Sequence, residues 1–194
     1  MIAYLTGKFV YKTPAVVHVD VNGVGYEVQV SLNTYSKISG LEAGTLYTYL
    51  QVKEDGHTLY GFFDTAEKAM FVQIIGINGV GAATARMMLS SMHPGELAKA
   101  ILTGNLKQLE SIKGIGRKTA ERIVLELKDK LSKNIGETSS STLIYNSLEQ
   151  DALNALVALG IARNSAENAI KKASASAPSH ENLEQLIKKA LQFI

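Results

Sequence analysis

Ile77-Asn-Gly-Val-Gly-Ala-Ala-Thr-Ala-Arg-Met-Met-Leu89 and Ile112-Lys-Gly-Ile-Gly-Arg-Lys-Thr-Ala-Glu-Arg-Ile-Val124 are two copies of one motif, offset by 35 residues. They match at Ile77/Ile112, Gly79/Gly114, Gly81/Gly116, Thr84/Thr119 and Ala85/Ala120. Each copy reads apolar residue, spacer, Gly, apolar residue, Gly, then a segment of helical period. Two glycines around one apolar residue let the backbone turn sharply and expose its amides. Val80 and Ile115 are predicted to anchor the turns in a core. A helix that starts at the second glycine has unsatisfied N–H groups and the positive end of its dipole at its tip. That combination suits a phosphate. In the second copy Arg117, Lys118 and Arg122 add full charges. This is the pattern of a tandem helix–hairpin–helix, which grips a nucleic-acid backbone without reading bases. The predicted backbone contacts are Asn78, Gly79, Val80 and Gly81 in the first copy. In the second they are Gly114, Ile115, Gly116, Arg117, Lys118, Thr119 and Arg122.

Two other glycine-rich readings fail on spacing. A dinucleotide fingerprint needs a third glycine where Thr84 and Thr119 stand, and a strand before the turn. Gly116-Arg117-Lys118-Thr119 lacks the glycine that a phosphate-binding P-loop places directly before its lysine. No cofactor and no bound ATP are therefore expected for this chain.

Upstream of the repeat the period is two. Val16-Val-His-Val-Asp-Val runs through the turn dipeptide Asn22-Gly23 into Val24-Gly-Tyr-Glu-Val-Gln-Val30. Leu46–Val52 and Thr58–Phe63 read as two further strands around a hairpin at Glu54-Asp55-Gly56-His57. About five short strands in residues 1–63 predict a small closed barrel. A five-stranded OB-type barrel fits the size, and an SH3-like barrel fits nearly as well.

From residue 64 to 133 the apolar spacing is helical, most clearly at Ala120, Ile123, Val124, Leu127 and Leu131. His93-Pro94-Gly95-Glu96 reads as a helix start. Residues 134–146, with their Ser/Thr-rich run, read as a flexible linker. Residues 147–194 read as a three-helix module. Its first helix stops at Gly160, and Asn164-x-x-Glu167 resembles a capping box at the start of the second. Leu183, Leu186, Ile187, Ala190 and Leu191 lie on one face of the third. The expected fold is α+β and multidomain: barrel, tandem helix–hairpin–helix domain, linker, three-helix module.

Composition narrows the function classes. The 194 residues are 46% hydrophobic and 20% charged, the balance of a globular chain. Cysteine is absent, which excludes disulfides, thiolate metal sites and cysteine nucleophiles. No apolar run is long enough to span a bilayer, and the first residues lack signal-peptide order, so a cytoplasmic location is expected. The net charge of +2 is unevenly spread. Residues 64–133 hold 11 basic against 7 acidic side chains, whereas each flank is slightly acidic. A basic middle favours an anionic partner there. His18, His57, His93 and His180 are scattered, and neither a metal site nor a catalytic group is predicted.

The whole chain resembles the RuvA family of Holliday-junction-binding subunits. The residues that carry the resemblance are Met1-Ile-Ala-Tyr-Leu-Thr-Gly7, Leu59-Tyr-Gly-Phe62, Asn78-Gly-Val-Gly81, Gly114-Ile-Gly-Arg-Lys-Thr-Ala-Glu-Arg122 and Ala152-Leu-x-Ala-Leu-x-x-Leu-Gly160. The resemblance implies a homotetramer, single or paired, that holds a four-way junction open for branch migration in DNA recombination, repair and the SOS response. It implies that the C-terminal module recruits the hexameric RuvB ATPase, and that RuvC joins in a resolving complex. Glu54 and Asp55, solvated hairpin-tip residues on sequence alone, match the family's acidic pin at the junction centre. Leu156, Leu159, Gly160 and Ile161 are the residues chosen for RuvB docking. There are departures. Ala82 and Ala83 stand where the family often has proline and a basic residue, which predicts a weaker first grip. Lys53 stands where arginine is common, which keeps the charge and loses the fork geometry.

Three functions remain distinguishable. The first is a non-catalytic junction scaffold. The second is a DNA-cutting or glycosylase-type enzyme, for which Glu121 and Glu126 are the nearest acids. The third is a generic backbone or single-strand binder stacking bases on Tyr4, Tyr26, Tyr47 and Tyr49.

Overall fold

The computed structural model describes residues 1–138, 144–176 and 182–194. They form two compact units, residues 1–137 and 138–194, each described by itself.

In the first unit β1 (Tyr4–Lys12), β2 (Val16–Val21), β3 (Val24–Val30), β4 (Ala43–Lys53) and β5 (Gly56–Phe62) close a barrel. Its strand order is β1-β2-β3-β5-β4. All neighbours are antiparallel except β3 and β5, which run parallel with Val30 opposite Gly61. A helix, α1 (Leu32–Ile38), bridges β3 and β4. This Greek-key closure is the OB type and sets the SH3-like alternative aside. Asn22 and Gly23 form the predicted turn, with φ of 52° and 88° between the paired Val21 and Val24. Seven residues are too few for α1 to show a helical period. Its sequence signal was Ser31, whose hydroxyl accepts the Thr34 N–H at 3.0 Å.

Alternation along β5 joins the barrel to the helices. Leu59 enters the barrel core with Val17, Val19, Val28 and Leu46. Tyr60 and Phe62 enter the core of the helices instead. There Phe71, fully buried, meets the rings of Tyr49, Tyr60 and Phe62 at 5.6, 5.1 and 4.9 Å between centroids. Residues 1–63 and 64–133 are therefore separate in period but not in packing.

The helices are α2 (Thr65–Ile75), α3 (Ala82–Ser91), α4 (Pro94–Leu102), α5 (Leu106–Glu110) and α6 (Arg117–Thr138). Pro94 opens α4 as predicted, and the Glu96 carboxylate accepts the His93 N–H at 3.0 Å. Ala120, Ile123, Leu127 and Leu131 are buried along α6, and Val124 packs partly buried beside them.

A polar seam reinforces the apolar one. Glu67 on α2 is 1% exposed and accepts from the hydroxyls of Ser31 and, at 2.8 Å, Thr34. Thr34 Oγ1 in turn accepts the Phe63 N–H at 3.0 Å. Lys37 of α1 donates to Asp64, the cap of α2, at 2.6 Å. Burial pushes the Glu67 carboxyl above its ordinary range, against the lowering effect of its two hydroxyl donors. Burial also raises Asp64, but the hydrogen bond from Lys37 and the backbone donors at the helix start outweigh it.

The second unit packs α7 (Ile144–Ala158), α8 (Arg163–Ser176) and α9 (Leu183–Leu191) around Ala152, Leu156, Ala169, Ile170 and Leu186. Gly160 ends α7 with φ 91°. Its N–H donates to Val157 O at 2.9 Å and the Ile161 N–H to Leu156 O at 3.1 Å, the pair of bonds of a Schellman stop. The capping box expected at Asn164 is not formed. Helix α8 begins two residues before the start that box implies, at Arg163, and Glu167 pairs with Arg163 at 2.9 Å. Of the predicted linker, α6 takes residues to 138 and α7 begins at 144. Residues 139–143 and His180 lie outside the described residues. Among the described residues no helix is long and apolar enough to cross a membrane.

A group whose folded pKa is raised stabilises most at low pH, and the contribution is lost as pH rises through the folded value. Denaturant titrations should therefore show Glu67→Gln gaining on the wild type as pH rises above about 4.5, the ordinary Glu value. Glu67→Ala should cost about 2–4 kcal/mol, because it strands two buried hydroxyls and opens a void.

Candidate nucleic-acid interface

The two hairpins are built bond for bond alike. Gly79 and Gly114 have φ of 86° and 92°, a region closed in practice to other residues here. The Val80 N–H donates to Ile77 O at 3.1 Å, and the Ile115 N–H to Ile112 O at 3.0 Å. The first helical bonds are Ala85 N–H to Gly81 O and Ala120 N–H to Gly116 O, both 2.9 Å. Val80 and Ile115 are each 5% exposed and anchor the turns as predicted. One expectation is corrected. The Val80 and Ile115 amides are spent inside their own turns, so these residues supply shape rather than donors. The amides that have no intrahelical acceptor are those of Gly81–Thr84 and Gly116–Thr119.

Tertiary structure brings the copies together. Arg122 Nη1 donates to Asn78 O at 2.9 Å, tying α6 of the second copy to the turn of the first. Asn78, Gly79, Lys118, Thr119 and Arg122 line one shallow concavity of about 130 Å³. Arg117, fully exposed, pairs with Glu121 at 3.0 Å, and that hydrogen bond holds its pKa above the ordinary value. Lys118 stands exposed on the first turn of α6. Lys113, also exposed, occupies the spacer position that matches Asn78. It was absent from the predicted contacts, although the register of the repeat places it in the second turn.

The first copy carries no such charge. Ala82 is buried and Ala83 exposed after Gly81. Arg86, the one basic residue of α3, donates instead to Ala15 O at 3.0 Å and to Gln29 Oε1 of the barrel. The first hairpin therefore presents backbone amides and a helix N-terminus without a basic side chain of its own helix beside them.

Glu54 and Asp55 form the whole of a two-residue turn, because Lys53 pairs with Gly56. Both are exposed. Among the described residues no cluster of three His, Asp or Glu is placed to hold a metal ion. Of the four tyrosines considered for base stacking, Tyr49 packs on Phe71, Tyr26 packs partly buried against the barrel core, and Tyr47 is half-buried. Tyr4 is 60% exposed. In the second unit Leu156 is wholly buried, which corrects its choice as a docking residue. Leu159 is 66% exposed, Gly160 is exposed and Ile161 packs partly buried against the module core.

Three family models match parts of the chain. Residues 1–61 match the RuvA N terminal domain, 71–129 the SAM-like helix-hairpin-helix tandem, and 147–194 the RuvA C-terminal domain. A relative from Cytophaga hutchinsonii is 44% identical over the full length of both chains. The chain belongs to the RuvA family. Relatives from Christiangramia forsetii and Flavobacterium psychrophilum are each 43% identical over 99% of both chains. All three carry the name Holliday junction branch migration complex subunit RuvA. The RuvA N-terminal match ends inside β5, the strand shared with the helices, and the tandem match encloses both hairpins.

The Arg122–Asn78 bond separates the roles of two basic residues on α6. Arg122→Ala should lower the thermal midpoint by about 2–4 °C, the scale of a loss near 1 kcal/mol in a chain of this size. Lys118→Ala should leave it unchanged. Circular dichroism melts of the two variants check this.

Proposed function

We propose that this chain binds four-way DNA junctions and presents them to an ATP-driven motor. The observation that carries the reading is the coupling of two equivalent hairpins through Arg122 and Asn78, beside Lys118. Each hairpin offers a helix N-terminus and a row of backbone amides to phosphate. None of these donors distinguishes one base from another, so recognition is of backbone and shape. The relatives' shared name supports the junction as the substrate.

Four copies surround the junction and hold its arms near one plane. Glu54 and Asp55 act as a pin at its centre, by charge rather than by proton transfer. A carboxylate roughly 5 Å from a phosphate costs about 1–3 kcal/mol at effective dielectrics between 80 and 20. That is enough to steer a strand and too little to expel a junction held at many phosphates. The second unit recruits the RuvB hexamer, which hydrolyses the ATP, and RuvC joins when the junction is resolved. The chain itself acts in the cytoplasm as the DNA-binding subunit and supplies no catalytic group.

A labelled synthetic four-way junction, challenged with excess linear duplex and single strand at about 0.15 M salt, tests the reading. The junction complex should survive both competitors. Equal competition by linear duplex would reduce the protein to a general backbone clamp. Lys118→Ala should weaken binding to every sequence alike and lower the salt slope by about 0.9. Glu54→Gln with Asp55→Gln should bind the junction and change the RuvB-driven migration rate. An unchanged rate would remove the pin role.

A further inference from the structure

We infer that Arg86 and Asn33 are positioning residues, which set junction selectivity by fixing the first hairpin relative to the acidic turn. The inference rests on the junction reading above.

Helix α3 carries the free amides of the first hairpin at its N-terminus. The rest of the helix is held to the barrel by polar contacts. Arg86 donates to Ala15 O and Gln29 Oε1. Asn33 Nδ2 donates to Leu89 O and, at 3.0 Å, to Met92 O. The Leu32 N–H donates to Ser90 Oγ at 3.1 Å. Four donor–acceptor pairs thus join this ten-residue helix, and a fifth its C-cap Met92, to the β1–β2 connection, to β3 and to α1. The barrel also bears the Glu54–Asp55 turn, on β4 and β5. The second hairpin joins the same frame through Arg122 and Asn78. A continuous set of bonds therefore runs from acidic turn to barrel, to α3, to both hairpins.

The location of Arg86 is the sharpest sign. It lies on the helix behind a phosphate-binding turn, in a segment otherwise without basic side chains. A backbone-binding helix would gain most from presenting that charge to DNA. Instead the guanidinium is committed to a carbonyl and an amide oxygen of the barrel. Linear duplex needs only the hairpins. A junction needs the hairpins on its arms and the carboxylates at its crossover at once, so the spacing between them counts only for the junction. A constellation keeps its productive spacing only as well as its supporting contacts hold it.

The experiment measures junction and linear-duplex affinity, each across a salt series, for full-length wild type, Arg86→Ala, Gln29→Ala and Asn33→Ala. Melts confirm folding. Gln29→Ala and Asn33→Ala remove contacts without changing charge, so they carry the test even if Arg86→Ala folds poorly. Duplex affinity should stay within about twofold of wild type. The junction-to-duplex ratio should fall by about fivefold or more, with salt slopes unchanged. A slope lowered by about 0.9 in Arg86→Ala would make Arg86 a phosphate contact and overturn the inference. An unchanged ratio in all three variants would also overturn it, leaving the contacts merely structural. A wild type that itself shows no junction preference would overturn the proposed function, and this inference with it.

Discussion

The second half of strand β5, Leu59 to Phe62, is buried on both faces, and most of the first unit depends on that. Leu59 closes the barrel, while Tyr60 and Phe62, one step out of phase, close around Phe71 in the helical core. Full burial of a phenylalanine is worth about 1.5–3 kcal/mol. Neither core can lose the strand without exposing such groups on the other side. The barrel is thus not a module hung beside the hairpins but one wall of the core that supports them.

The hairpins use that support economically. Each places one apolar residue in the core, one glycine in a left-handed turn and one helix N-terminus at the surface. The first has only backbone donors, and the second adds Lys113, Arg117, Lys118 and Arg122. The asymmetry is balanced by contact: Arg122, a side chain of the charged copy, sits on the carbonyl of Asn78 in the uncharged one. A single concavity therefore draws on both copies.

Polar groups do a different task. Glu67, Asn33 and Arg86 all reach across the line where the period changes from two to helical. Apolar packing alone tolerates sliding, since it is not directional. Hydrogen bonds to particular carbonyls and hydroxyls specify one docking, and a buried carboxylate such as Glu67 penalises any arrangement that leaves it without its donors.

Sequence by itself determined the tandem hairpins, the OB-sized barrel and the C-terminal helices. Those features are written in local period, in glycine spacing and in turn dipeptides, which act over a few residues. It also pointed to the turns as candidates for backbone binding, since the free amides and dipole at a helix N-terminus suit an anion. It missed α1, too short for a period to register, and misplaced the start of α8, where Glu167 pairs with Arg163 and Asn164 lies inside the helix. It assigned donor roles to Val80 and Ile115 and a surface role to Leu156. Only tertiary structure decided those, because whether an amide or a leucine is free depends on what folds against it. The same holds for Arg86 and Arg122. Both are basic residues on helices behind hairpins, yet one is taken up by the barrel and the other joins the two turns. Their partners lie 57 and 44 residues away in the chain, beyond the reach of any local pattern.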